Sequence, residues 1–234
     1  RMISYVFAFI FGLLTPALAS RYPKAWASDL GEWLFNLWHK PCFVKVKKDK
    51  KRTVLLAQKW RQMAYYSVFW ALLLTALFVA VDLLCPLSTR VWCKAFICIM
   101  ALLTTIDDLF YVLPDIFTVP LIVLGFGYAL YGGIISPENS FYGALYGLFL
   151  PSFSVLITSV FFKNAFGGGD VKMLMGLGAW LGVLPLCLAL LLSVISFGIQ
   201  VLITGKHSAA YGPHLAWGGT LVLFLTNLHL ISFL

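Results

Sequence analysis

The sequence predicts an all-α integral membrane protein, with about eight transmembrane helices and one basic cytoplasmic loop after the first. Three observations carry this. The 234 residues are 61% hydrophobic and only 11% charged, whereas a soluble domain carries about a quarter charged residues. Mean hydropathy is +0.92, so most apolar side chains must face lipid. Apolar runs also recur along the whole chain at lengths near the roughly 17–25 residues that a helix needs to span a bilayer.

These runs fall at 2–19, 64–84, 91–106, 117–135, 141–162, 172–184, 185–204 and 214–233. The first ends in small residues, as a signal peptide does, but seven further runs favour an uncleaved span. The sixth is short and Gly-rich, which makes its boundary with the seventh the least defined. The chain thus divides into a first span (1–19), a polar loop (20–63) and a seven-helix membrane domain (64–234). The loop is too short for a substantial core of its own. Within it, WLFNLWHK (Trp33–Lys40) is aromatic on one side and ends in charge, the pattern of an interfacial amphipathic helix.

Charge fixes the orientation. Of the 17 Lys and Arg, 11 lie between Arg21 and Arg61, including KVKKDKKR at Lys45–Arg52. A basic block can bind nucleic acid, but one held between two apolar spans reads as a positive-inside loop resting on anionic membrane lipids. Both termini then lie outside. Lys163, Lys172 and Lys206 fall inside and agree; Arg90 and Lys94 fall outside and dissent.

The five cysteines, Cys42, Cys85, Cys93, Cys98 and Cys187, contain no CxxC pair, so no tetrahedral metal site is expected. Cys85 and Cys93 both fall near the outer face, where a disulfide is chemically allowed.

Six acidic residues lie beyond the first loop. Asp82 and Glu138 sit at outer helix ends, where a solvated or snorkelling carboxylate is expected. Asp107, Asp108, Asp115 and Asp170 sit at inner ends, on two connections: TTIDDLFYVLPD (Thr104–Asp115) and NAFGGGDVKML (Asn164–Leu174). Carboxylates near membrane depth are expensive and usually have a functional partner. Two of them brought together do not both ionise readily, so one serves as acid and the other as base. Solvated helix ends, with Asp170 as an N-terminal cap, are the alternative, and the acids alone leave both open. Gly167, Gly168 and Gly169 add a backbone that can adopt positive φ and be approached closely, as a substrate strand beside Asp170 would require. A simple hinge is the competing use of these glycines. A phosphate loop is excluded, because the Walker pattern is absent and Asp170 would repel phosphate.

These motifs resemble those of the type IV prepilin peptidases and their relatives among GxGD intramembrane proteases. GGGD at Gly167–Asp170 fits the GxGD signature. Leu113-Pro114-Asp115 matches the companion segment, whose proline lies seven residues after the first catalytic aspartate, which singles out Asp107 over Asp108. Gly12 and Arg21-Tyr22-Pro23 match the first span and its inner end, with Pro16 where asparagine is usual. Ala210–Gly218 resembles the PFGPxLaxG stretch before the last span. Many members carry two CxxC zinc-binding pairs in the first loop; only Cys42 is present here, so no metal is expected.

The resemblance implies an aspartic endopeptidase of the bacterial inner membrane, both termini periplasmic. It would remove the short basic leader of type IV prepilins or pseudopilins, with Asp107 and Asp170 catalytic and the three glycines binding substrate through their backbone. Proteolysis would need no cofactor. S-adenosylmethionine enters only with the N-methyltransferase activity found in many members, which the missing cysteines leave open. Asp115 would shape its turn, and Lys172 would either anchor at the interface or bias the acid pair. The rival function is a transporter in which the two aspartates relay protons or a cation.

Overall fold

A computed structural model describes residues 1–20, 50–131, 133–161, 168–204 and 210–228. The interfacial helix expected at 33–40, Cys42, Gly167, Lys163 and Lys206 lie outside the described residues. Every described element is helical: α1 (Met2–Ser20), α2 (Lys50–Leu84), α3 (Arg90–Phe110), α4 (Asp115–Tyr131), α5 (Pro137–Phe161), α6 (Gly168–Leu181), α7 (Val183–Thr204) and α8 (Gly212–Asn227). The protein is an all-α membrane protein. Among the described residues three segments are long and apolar enough to cross a bilayer by themselves: Met2–Ser20, Met63–Leu84 and Val183–Thr204.

The eight helices follow the expected order, with shifted ends. α2 begins at Lys50 rather than near 64, because the intervening Lys, Leu, Ala, Gln and Arg are good helix formers. The sixth and seventh runs part at Gly182, which has φ +78, a left-handed conformation that glycine adopts without a Cβ penalty. Its amide donates to the Gly178 carbonyl at 2.8 Å and closes the end of α6.

The chain forms two compact units, Arg1–Val79 and Ala80–Leu234. In the first, Gly12 of α1 lies directly against the backbone of Trp70 and Ala71 in α2, leaving no room for a Cβ. In the second, α6 is the central helix: it packs on α4, α5, α7 and α8, and Met173, Leu174 and Gly176–Leu181 are all buried. That explains a short, glycine-rich segment in a membrane protein, since α6 is enclosed by helices rather than lipid. Gly143 of α5 and Gly178 of α6 meet backbone to backbone, and Gly147 meets Leu174 in the same way. On the other side Trp180 donates its indole N–H to the Leu121 carbonyl at 2.8 Å and stacks on Tyr128 at 5.1 Å.

Asp82 departs from expectation. It is buried (6% exposed), not solvated. Lys94 Nζ lies 2.8 Å from one carboxylate oxygen and 3.0 Å from the other, and Arg90 Nε lies 4.0 Å away. Arg90 and Lys94, the two cations that broke the loop-charge pattern, are thus counter-ions to a buried acid. A sequence rule that counts cations per loop cannot distinguish such a pair from an anchor. Replacing Asp82 with Ala leaves two part-buried cations facing each other. It is expected to cost about 3 kcal/mol of stability, read as an earlier thermal unfolding transition in detergent. Cys85 and Cys93, beside this cluster, are both buried free thiols in hydrogen-bonding contact with each other.

Candidate active site

Each acidic motif lies at a helix end of the second unit, placed there by local sequence. Asp107 is in the last turn of α3, just past the apolar run 91–106. The helix stops at Tyr111, which adopts φ 56 and ψ 38, and the Tyr111 amide donates to the Asp107 carbonyl at 2.8 Å. A non-glycine residue in this region is uncommon, and it turns the chain sharply into Leu113-Pro114. Proline then favours a fresh start, and Asp115 sits in the first turn of α4, where a carboxylate suits the helix dipole. Asp170 has the same relation to α6, in whose first turn it lies.

The two motifs are in direct contact. Gly169 is so close to Leu113 that an added Cβ would come within 2.8 Å of the Leu113 Cβ and 3.2 Å of its carbonyl. Lys172 Nζ lies 2.7 Å from both carboxylate oxygens of Asp115. Asp115 therefore does more than shape a turn, and Lys172 is neither a bare anchor nor a bystander. The pair ties the start of α4 to the start of α6 across 57 positions of sequence. Both side chains are about half-exposed, so the tie contributes mainly registry, with a stabilisation of no more than about 1 kcal/mol.

Gly168 and Gly169 are helical, and neither has the positive φ that their sequence permits. What glycine supplies differs between them. Gly169 allows the approach to Leu113, whereas among the described residues nothing lies within 4 Å of a Cβ added at Gly168. Gly169→Ala should therefore wedge the two motifs apart and lower the melting temperature. Gly168→Ala should be tolerated structurally, with equal thermal stability. Parallel thermal melting of the two variants checks this contrast.

A third element, not assigned a role from sequence, bonds Asp107 and lies in the field of Asp170. The turn before α8 is held by Gly212-Pro213, with proline in the first helical turn where its missing N–H costs nothing. The Gly212 amide donates to Asp107 Oδ2 at 2.8 Å in a buried hydrogen bond. The neighbouring Tyr211 phenol is pushed up to about 12 by burial and then by the negative charge of Asp170. Tyr211–Gly212 is thus a bridge between the surroundings of Asp107 and those of Asp170. Asp107 is 5% exposed. Burial pushes its carboxyl up, the Gly212 N–H opposes this, and the charge of Asp108 raises it further. Asp107 therefore holds its proton more readily than an ordinary carboxyl. Among the described residues no cluster of His, Cys, Asp and Glu could hold a metal ion.

The sequence profile described as the type IV leader peptidase family matches residues 94–202, which include Asp107, Asp115 and Gly167–Asp170. The chain is 35% identical over 148 residues to a prepilin leader peptidase/N-methyltransferase of Aeromonas hydrophila, covering 58% of this chain and 51% of that one. To the protein of the same name in Escherichia coli (strain K12) it is 30% identical over 184 residues, covering 74% of this chain and 80% of that one. To that of Neisseria gonorrhoeae it is 34% identical over 133 residues, covering 53% and 45%. The chain spans about half the length of the first of these relatives, and no solved structure matches it. None of these relatives is a transporter, and the proton-relay alternative draws no support from them. With the motifs, their contact and these matches in agreement, the chain belongs to the type IV leader peptidase family.

Proposed function

We propose that this protein is an aspartic endopeptidase of the bacterial inner membrane, in which Asp107 and Asp170 activate one water between them. The substrate is a type IV prepilin or pseudopilin: a short basic leader, a glycine, then a hydrophobic helix resting in the bilayer. One carboxylate takes a proton from the water as it attacks the carbonyl carbon of the glycine, and the other carboxyl protonates the departing amine of the next residue. No covalent intermediate is needed. The observation that carries this reading is the Tyr211–Gly212 turn, which donates a hydrogen bond to one acid and lies in the field of the other. The open side of Gly168, two residues from Asp170, offers bare backbone for an extended substrate segment to approach. The basic first loop puts this end of the bundle at the cytoplasmic face, with both termini periplasmic, where anionic lipid and the basic leader meet it.

Purified protein in detergent, given a prepilin with an intact leader, should release a shorter pilin beginning immediately after the glycine. Intact substrate after prolonged incubation would refute the reading. Methyl transfer is a separate activity in the names of the relatives, and S-adenosylmethionine would be its donor. Mass spectrometry of the product with that donor present would show one added methyl group if this chain supplies it.

The raised Asp107 carboxyl predicts how cleavage depends on pH. Burial keeps the last proton of the acid pair in place to higher pH than ordinary carboxylates would, so the alkaline fall in activity lies above the usual carboxylate range. The negative charge of Asp108 adds to that elevation. Asp108→Asn should therefore retain cleavage but move the alkaline limb to lower pH. An unchanged limb would show that Asp107 does not carry the proton.

A further inference from the structure

We propose that His214 is a positioning residue for the acid pair, its ring fixed by Ser196 and Gln200 of α7 so that it holds the Tyr211–Gly212 turn against Asp107 and Asp170. The proposal rests on the peptidase reading above and extends it to a histidine outside both acidic motifs.

α7 is an apolar helix that contains few polar side chains, and they divide into two kinds. Ser193 and Thr204 turn their hydroxyls back onto carbonyls of α7 itself. Ser196 and Gln200 instead reach a neighbouring helix, and both reach the same ring. Ser196 Oγ lies 2.8 Å from His214 Nδ1, and Gln200 Oε1 hydrogen-bonds to His214 Nε2. Being four residues apart, they project from one face, so a single turn of α7 grips both edges of the imidazole. Polar groups in an apolar span are costly unless bonded, and each of these two bonds this residue. Phe197, between them, packs edge-on against His214 at 5.5 Å and against Tyr211 at 5.6 Å.

A ring held at both nitrogens cannot rotate, and it sits directly behind the turn. The His214 and Tyr211 rings lie 6.5 Å apart, tilted by 32°. The His214 amide donates to the Tyr211 carbonyl at 3.0 Å, closing the first turn of α8. The imidazole therefore fixes where Tyr211 and Gly212 stand. Those two residues supply the hydrogen bond to Asp107 and a phenol that feels the charge of Asp170. The titratable groups about this turn are Asp108 beside Asp107 on α3, Tyr211 and His214 at the start of α8, Asp170 on α6, whose charge acts on Tyr211, and the Asp115–Lys172 pair joining α4 to α6. Of these, only His214 would act on Asp107 through the Gly212 N–H.

The test compares His214→Phe, Gln200→Leu and Ser196→Ala with wild type. The phenyl ring keeps the aromatic packing and removes both bonds. Cleavage of a prepilin is followed against pH, and the Asp107 carboxyl is titrated by infrared spectroscopy, its band assigned by loss in Asp107→Asn. His214→Phe is expected to lower kcat about tenfold with KM nearly unchanged, since the turn acts on the acids and not on the leader. A weaker Gly212 hydrogen bond destabilises the Asp107 carboxylate. The alkaline limb and the Asp107 band must therefore both move to higher pH, opposite to Asp108→Asn. Gln200→Leu and Ser196→Ala should do the same to a smaller extent, and they carry the test if His214→Phe fails to fold. Folded variants with an unmoved Asp107 band overturn the proposal. If the wild type cleaves no prepilin, the peptidase reading falls, while the infrared titration still decides whether His214 positions Asp107.

Discussion

Asparagine at Asp107 or at Asp170 is expected to abolish leader cleavage, by at least about a thousandfold, in a protein that still folds. Each acid carries a proton that the other cannot carry alone, and general acid–base contributions of about a hundred to ten thousandfold are typical of such groups. The substitution is isosteric, so the asparagine side chain at 107 still accepts from the Gly212 amide that bonds Oδ2 now. Loss of activity would then report lost chemistry rather than lost structure. Asp108 is the control: it neighbours Asp107 in sequence but points about 100° away around the helix, and its asparagine variant should keep most activity. The double variant at 107 and 170 should be no worse than either single one, because residues that act as a unit are not additive.

The second expectation concerns a residue with no side chain. Gly212→Ala should reduce kcat by about a hundredfold while leaving stability near that of the wild type. A Cβ there would stand 2.6 Å from Asp107 Oδ2 and 3.1 Å from its Cγ. The atoms it meets are the far end of a movable side chain, so the helix keeps its place and the carboxylate gives way. Gly212 has no positive φ that alanine could not adopt, so backbone strain is not the cause. The carboxylate would lose its amide donor and shift by a fraction of an ångström to an ångström, and misplacement on that scale costs on the order of a hundredfold. Kinetics and thermal melting of one preparation separate the two effects. A large drop in stability with normal kcat would contradict the placement of Gly212 against Asp107.

Much of this site could be read from sequence because its chemistry depends on spacing. Leu113-Pro114-Asp115 and Gly167–Asp170 each fix an aspartate by a short local pattern, and both described motifs fall at helix ends as the apolar runs imply. What sequence could not show are contacts between distant positions. Nothing local at Asp115 or Lys172 says that they pair, and nothing at Gly212 says that its amide meets Asp107 from 105 positions away. Asp82 meets the same limit: its counter-ions lie on the next helix, and the loop-charge pattern registers them only as exceptions. The extension of α2 upstream of 64 shows a different limit. A hydropathy pattern marks where a helix enters lipid, whereas the helix itself continues as long as its residues favour it. The glycines were legible as small but not in what their smallness does. Gly167–Gly169 permit both positive φ and close approach; among the described residues the positive-φ glycine is Gly182, and Gly169 uses the close approach.

The meeting of the two acids can be tested without any substrate. With the five native cysteines replaced by serine or alanine, cysteines are placed at 107 and 170, and a bifunctional thiol reagent with a span of only a few ångströms is added to the membranes. Mass spectrometry of the digest should find the 107 and 170 peptides joined, and a 108/170 pair joined far less. If each single cysteine reacts but the 107/170 pair never links, or links no better than 108/170, the two carboxyls do not share a water and the proposed peptidase chemistry is wrong.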